Sequence, residues 1–173
     1  MVSHAKRDAI LKHVARYQVT LRPVLERLVY ADDSAALDHD LRALKEEGLL
    51  ATVPNAVPEP RDTRTKYSYY YLTRKACGLL GAPDSRARRP GGTSLDGSLA
   101  ILWLCCMSKT RCHRLNEEEA AGIFAIAGRE QDSERVKRRL TGFHCLVRCE
   151  EEFKVLNLYA TKANTRDAVS ELK

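Results

Sequence analysis

The sequence lacks a run of apolar residues long enough to cross a bilayer. Its most apolar stretch, LAILWLCCM at residues 99–107, is far shorter than the roughly 20 residues that a membrane-spanning helix needs. The first ten residues, MVSHAKRDAI, are polar and contain no apolar core of the kind that directs export. We therefore expect a cytoplasmic protein, in which the six cysteines are reduced thiols rather than disulfides.

Patterns that mark common metal sites are also missing. No CxxC occurs, although cysteines and histidines are loosely grouped in the second half, at Cys112, His113, His144, Cys145 and Cys149. Cys112 and His113 are adjacent, which does not suit two ligands of one ion. Cys145 and Cys149 would lie about 13 Å apart on a strand, too far for one tetrahedral ion. We predict no zinc site and no cofactor.

Catalytic motifs are equally scarce. The chain has neither a Gly-rich phosphate loop nor a GxSxG sequence. Glu152 and Lys154 form an E-x-K pattern that some metal-dependent nucleases use, but no aspartate stands clearly on a preceding strand. We predict no catalytic residue and keep a nuclease-like domain as an alternative.

The composition is that of a globular protein with a basic balance. Apolar residues make up 44% and charged residues 30% of the 173 residues, and the formal net charge is +6. A positive balance favours an anionic partner, with nucleic acid ahead of a membrane surface.

Hydrophobic periodicity predicts three helices in the first half, at about residues 4–17, 20–31 and 35–47. Thr20 is the expected N-cap of the second helix. Residues 32–34 provide the turn and cap that open the third helix, and Gly48 occupies the position just past its end.

The period then changes to that of strands, at residues 49–53 and 67–72, around a segment rich in proline and basic residues. Alternation places Tyr67, Tyr69 and Tyr71 on one face and Tyr70 and Leu72 on the other. We expect one face to lie on a small core and the other to be wet, since tyrosine suits both surroundings. Thr73 then caps a short helix.

Three helices followed by a hairpin with a basic tip is the order of a winged helix-turn-helix domain. We predict an α+β fold with this domain at residues 1–82, a basic Pro/Gly linker at 83–94 and a small C-terminal α+β domain at 95–173. The second half contains further helices and a second hairpin that ends in LYATKA, similar to YYLTRKA in the first. It is therefore either a distinct small domain or a second winged-helix-like unit.

The predicted DNA contacts lie on three segments. On the third helix His39 and Arg42 face away from the leucines, and Arg42 suits the O6 and N7 atoms of a guanine. Basic residues of the wing and of the next helix suit phosphates, and a second basic cluster lies further along. These residues are Arg61, Arg64, Lys66, Arg74, Lys75, Arg135, Arg138 and Arg139. Acidic residues on the third helix count against DNA, and a solvated helix face is the alternative.

The first helix of the second half is apolar almost all round. A helix of this kind is buried, either in the centre of its domain or in a subunit interface. We predict a protein interface, and hence a possible homodimer through the C-terminal domain, at Leu99, Leu102, Trp103 and Cys106.

The spacing of residues between the third helix and the short helix resembles a known family. Leu41, Leu44, Gly48, Leu49 and Leu50, followed by Tyr71, Leu72, Thr73 and Gly78, resemble the winged-helix domains of the replication-relaxation proteins of plasmids and mobile elements. PadR-like and MarR-like regulators are similar as well. The resemblance covers about residues 5–81. It implies DNA binding through Arg42 and the wing, a role in plasmid replication or transfer, and a nuclease-like second domain.

The function predicted from the sequence is occupancy of a DNA site, as a transcriptional regulator or a plasmid replication protein. The main alternative is a winged-helix protein that binds another protein and no DNA. The acidic character of the third helix favours that alternative, whereas the basic wing favours DNA.

Overall fold

The computed structural model describes residues 2–31, 33–58, 66–108, 112–137, 143–149 and 152–158. The fold is α+β. Its elements in chain order are α1 (Val2–Tyr17), β1 (Thr20–Leu21), α2 (Arg22–Leu25), α3 (Ser34–Glu46), β2 (Leu50–Pro58), β3 (Lys66–Leu72), α4 (Arg74–Leu80), α5 (Gly92–Cys106), β4 (Cys112–Arg114), α6 (Glu117–Ile126), α7 (Glu130–Lys137), β5 (Phe143–Cys149) and β6 (Glu152–Leu158). A π-helical turn, Glu26–Tyr30, extends α2, and a 3-10 turn, Asp84–Ala87, precedes α5.

The second helix starts later than the sequence predicts. Thr20 is not its N-cap but a buried residue of β1, where it pairs with Tyr70 of β3. The helix therefore begins at Arg22, with Pro23 in its first turn, where a proline is tolerated. The pairing of β1 with a distant strand is what overrides the local capping signal.

Both predicted ends of α3 are confirmed. Asp33 is the N-cap, and its Oδ1 accepts a hydrogen bond of 3.1 Å from the backbone N–H of Ala36. At the other end Gly48 adopts a φ of +69°, the left-handed conformation that glycine reaches without strain. Leu49 N–H then donates to Leu44 O at 2.8 Å, which satisfies a carbonyl of the last turn.

The first sheet is antiparallel, with the strand order β1-β3-β2, so the tyrosine strand β3 is central. Its side chains alternate as predicted. Tyr67, Tyr69 and Tyr71 pack into one hydrophobic cluster, while Tyr70 and Leu72 pack into another. The expectation that one face is wet is wrong, because helices cover both faces of this strand.

Two hydrophobic clusters lie on opposite faces of the sheet. The first joins the sheet to the four N-terminal helices and includes Ile10, Val14, Leu25, Leu37, Leu41, Leu44, Leu72 and Cys77. The second joins the other face to α5 and includes Val19, Leu21, Val24, Val57, Tyr69, Ile101, Leu102 and Cys106. The sheet is thus the middle layer of three.

Helix α5 covers the Tyr69 face of the sheet with the residues that the sequence assigns to a protein interface. Leu102 is fully buried and Cys106 is 6% exposed. Leu99 and Trp103 are partly buried and pack on the same cluster. A helix this apolar is buried either inside its own chain or in a subunit interface. The contacts of α5 described here are of the first kind. The predicted homodimer stays a prediction.

The predicted linker at 83–94 and the boundary beside it stay predictions, but their residues have definite places. The 3-10 turn lies next to α4, and Ala87 packs on the first cluster. Pro90 is buried, and α5 begins at Gly92.

A second antiparallel sheet, with the order β4-β5-β6, lies in the C-terminal half. The predicted hairpin is present, with Phe143 opposite Leu158. The segment around Cys112 is the strand β4, which pairs with β5. Helix α6 begins with a capping box formed by Asn116 and Glu119, a local pattern that the sequence NEEE also indicates. The last predicted helix, after residue 164, lies outside the described residues.

None of the helices in the described ranges has the length and apolar character to cross a membrane.

One histidine of α1 makes the stability of the fold depend on pH. The ring of His13 lies 4.7 Å from that of Tyr17, centroid to centroid, and its Nε2 atom is buried without a hydrogen-bond partner among the described residues. Burial first, and then the positive charge of Arg16, lowers the pKa of His13 from 6.5 to about 4.

We expect acidification to destabilise the protein through this histidine. Between pH 6.5 and about 4 the unfolded chain protonates His13 and the folded chain does not. The contribution of neutral His13 to the free energy of unfolding is therefore fully present above pH 6.5. It is lost as the pH falls towards 4, by up to about 1.4 kcal/mol per pH unit. Urea unfolding at several pH values gives the free energy of unfolding, which should fall less steeply with decreasing pH for His13→Gln than for the wild type. Equal slopes would contradict this assignment.

Candidate nucleic-acid interface

The exposed face of α3 carries the two residues that the sequence selects. Leu37, Leu41 and Leu44 are buried in the first cluster, and His39 and Arg42 are exposed on the other side. The side chains three residues apart on a helix are neighbours, so both lie on one stripe.

Lys45 extends this stripe by one further step of three residues and is also exposed. The sequence analysis does not include it. Its position three residues after Arg42 would have been enough to predict that it lies on the same stripe. With Lys45 the exposed stripe has two residues that are always positively charged and one histidine, all of which can donate hydrogen bonds to phosphate or to base edges.

The acidic residues of α3 are largely bound within the chain. Asp38 Oδ1 forms an ion pair of 2.9 Å with Arg22 Nη1. Asp40 is 3% exposed, and its Oδ2 accepts a 2.6 Å hydrogen bond from the hydroxyl of Tyr30. Asp33 is occupied as the N-cap, and Asp32 lies outside the described residues. Glu46 is exposed near the end of the helix.

Arg22 links the second helix to the third. Its Nε donates to Glu26 Oε1 at 2.8 Å while its Nη1 holds Asp38. Ser34, the first residue of α3, donates to the same oxygen of Glu26 at 2.7 Å. The hydrogen bonds from Arg22 and then from Ser34 hold the pKa of Glu26 below its usual range. The two helices are therefore joined by a network of charged groups as well as by apolar packing.

The C-terminal end of α3 lies beside the start of α4. Thr73, the N-cap of α4, donates through Oγ1 to Gly48 O at 2.6 Å. Lys75 Nζ donates to Glu47 O at 2.8 Å, which places a positive charge at the negative end of the helix dipole. The Glu47 carboxylate forms an ion pair with Arg7. Arg74 is exposed on the first turn of α4.

The β2–β3 hairpin, the predicted wing, is described only at its base. Pro58 pairs with Lys66, so β2 and β3 meet there, and Lys66 is exposed. The predicted contacts Arg61 and Arg64 lie between these two residues in the sequence, outside the described residues.

The second predicted basic cluster lies in another part of the molecule. Arg135 is exposed on α7, whose main contacts are with α6 rather than with α3. Arg138 and Arg139 lie outside the described residues. The structure thus brings His39, Arg42, Arg74 and Lys75 onto neighbouring elements and leaves Arg135 on a separate one.

The E-x-K pattern and the cysteines bear on the nuclease and zinc-site alternatives. Lys154 of the E-x-K pattern is exposed on β6, and the Glu152 side chain is outside the description. In the ranges that the structure describes, no three His, Cys, Asp or Glu side chains come together as metal ligands would. Cys105 Sγ and Cys112 Sγ are 3.7 Å apart, longer than the roughly 2.05 Å of a disulfide.

No protein-family model matches the chain, and neither a curated protein nor a solved structure is similar to it.

Proposed function

We propose that this protein binds double-stranded DNA as a winged helix-turn-helix protein. Helix α3 is the recognition helix, and the β2–β3 hairpin is the wing. The order of the elements, and the resemblance carried by Leu41, Gly48 and Thr73, support this assignment. In such domains the recognition helix enters the major groove, and the wing touches the backbone or the adjacent minor groove.

The internal pairing of the acids on α3 is the observation that carries the proposal. Acidic side chains repel phosphate, and the sequence alone gives α3 an acidic character. Asp38 is neutralised by Arg22, and Asp40 is buried against Tyr30. The exposed surface that remains for a partner contains His39, Arg42 and Lys45 beside the exposed Glu46, and its positive balance suits an anionic partner better than a neutral or basic one.

Different basic residues have different roles in this proposal. Arg42 lies in the middle of the stripe and reads a guanine edge, because its planar fork can bond O6 and N7 together. Lys66 and Arg74 contact phosphates and set the orientation of the protein. Lys75 contributes less, since one of its three donors is already bonded to Glu47 O.

The action that follows is occupancy of a DNA site, which blocks or recruits other proteins without a chemical step. Whether the occupied site controls transcription or replication is a prediction of the resemblance, as is a homodimer through the C-terminal half.

Salt dependence of binding is the experiment that tests the proposal. Fluorescence anisotropy with a labelled random duplex should show tight binding at about 50 mM salt. At about 200 mM salt the affinity should fall by about 10³-fold or more if six or more phosphates are neutralised. An absence of binding at low salt would overturn the proposal and would favour the protein-binding alternative, which a pull-down then addresses.

A further inference from the structure

A cavity of about 620 Å³ lies between the segment before α5 and the start of α6. Its wall includes Arg86, Arg88 and Arg89, together with Gln18 at the end of α1 and Glu117 on α6. The volume falls within the range of pockets that hold small molecules. Three arginines and one acid give the wall a net positive charge.

Arg86 is partly buried and incompletely satisfied. Its side chain is 15% exposed, and its Nη2 lies 3.5 Å from Glu117 Oε1, a long ion pair. Its Nη1 atom is buried and has no hydrogen-bond partner among the described residues. A buried charged group with an unused donor is costly, and an anion in the cavity would remove that cost.

Arg89 is tied to the centre of the fold. Its Nε donates to the hydroxyl of Tyr69 at 3.4 Å, and that hydroxyl donates to Pro90 O at 2.8 Å. Tyr69 is 1% exposed in the central strand, so it gives this part of the wall a rigid support. The arginines thus project from a segment that is fixed to the sheet rather than from a free linker.

Gln18 adds a strained backbone at the same wall. Its φ is +69°, a left-handed conformation that is strained for a residue with a side chain and that glycine adopts without strain. Its Oε1 accepts a hydrogen bond of 3.2 Å from the buried Ser98. Strain of this kind is concentrated at ligand sites, and the amide of Gln18 supplies further donors there.

We propose that this cavity binds the phosphate group of a small phosphorylated molecule. The guanidinium fork of Arg86 matches two phosphate oxygens, and Arg88 and Arg89 add positive charge to the same wall. The buried Nη1 atom of Arg86 suits a small ligand that enters the cavity better than the backbone of a duplex. The site uses none of the residues assigned to DNA contact and does not depend on DNA binding.

Glu117 offers a substitution that should tighten phosphate binding, whereas the arginine substitutions should weaken it. Its carboxylate lines the cavity and is the acid nearest to Arg86, so it opposes a bound phosphate. Removal of this negative charge by Glu117→Gln should tighten phosphate binding about two- to fivefold. If Glu117 were simply the structural partner of Arg86, the same change would bring no gain in binding.

Isothermal titration of the full chain with pyrophosphate, and then with inorganic phosphate, is the experiment. We expect one site per chain. Arg86→Met should weaken binding by about tenfold or more, because it removes a charge-assisted pair of hydrogen bonds. Arg88→Ala and Arg89→Ala should each weaken it about two- to fivefold, and Arg129→Ala, a change of the same charge elsewhere, should leave it unchanged.

Several results would overturn the proposal. One is an absence of heat with both probes at roughly 10 mM, which would mean a dissociation constant well above about 1 mM. The others are an equal loss of phosphate binding in Arg129→Ala and no gain in phosphate binding in Glu117→Gln. Circular dichroism checks the folding of Arg86→Met, and the exposed positions Arg88 and Arg89 give an independent test if it misfolds. Loss of duplex affinity in those two variants without any phosphate binding would assign the arginines to the DNA backbone instead.

Discussion

The triple variant Arg42→Ala, Lys66→Ala, Arg74→Ala is expected to bind random duplex DNA about 10²- to 10³-fold more weakly than the wild type at ~0.1 M salt. Lys66 and Arg74 are the phosphate contacts among the three, and each lost phosphate contact removes about 0.9 from the slope of log K against log salt, so the slope should fall by about 2. All three side chains are exposed, and none of them has a partner within the described residues. Their removal should therefore leave the fold intact. Anisotropy titrations over a series of salt concentrations measure both quantities.

A matched control separates a defined interface from the effect of net charge. The variant Lys12→Ala, Arg129→Ala, Lys154→Ala also removes three positive charges from exposed positions, on α1, before α7 and on β6. It should keep most of the affinity and most of the salt slope. If both triple variants lose affinity equally, binding is a property of the overall charge, and α3 with its neighbours is not the interface.

Leu102→Ala is expected to lower the free energy of unfolding by about 2–5 kcal/mol. Leu102 is fully buried in the second cluster, between α5 and the sheet. The shortened side chain leaves a cavity that the surrounding rigid elements cannot fill, so packing is lost in addition to the hydrophobic transfer energy. Urea unfolding followed by the fluorescence of Trp103, the single tryptophan, and by circular dichroism measures the change.

The same variant tests whether the two halves of the chain unfold together. Because Leu102 packs on the sheet of the first half, hydrogen exchange of the β3 amides should accelerate along with that of α5. Ile126→Ala, at a position 91% exposed, should change the stability by no more than about 0.5 kcal/mol. Acceleration confined to α5 would instead support independent domains with a boundary in the 83–94 segment.

The candidate interface could be predicted in part. The leucine period of α3 is enough to assign His39 and Arg42 to its exposed side, and the structure agrees. The same pattern cannot tell which acids of α3 remain available to a partner. Arg7 and Glu47 are 40 residues apart, and no spacing in the sequence links them. Arg22 and Asp38 likewise meet only because α2 packs against α3.

Local features followed from the sequence by itself. The helix caps at Asp33, Thr73 and Asn116, the glycine end of α3 and the alternation along β3 are all present. Such features depend on hydrogen bonds and side-chain directions within a few residues, so neighbouring residues contain the information. The apolar character of α5 also predicted correctly that the helix is buried, but it did not identify the sheet on which the helix packs.

Only the tertiary structure decided what these elements meet. It placed α5 over one face of the tyrosine strand, so that both faces are covered, moved Thr20 from a helix cap into a strand, and brought Arg86 beside a cavity. Each of these outcomes depends on contacts between elements far apart in the chain. The side chains involved are compatible with several environments, and packing selects one of them.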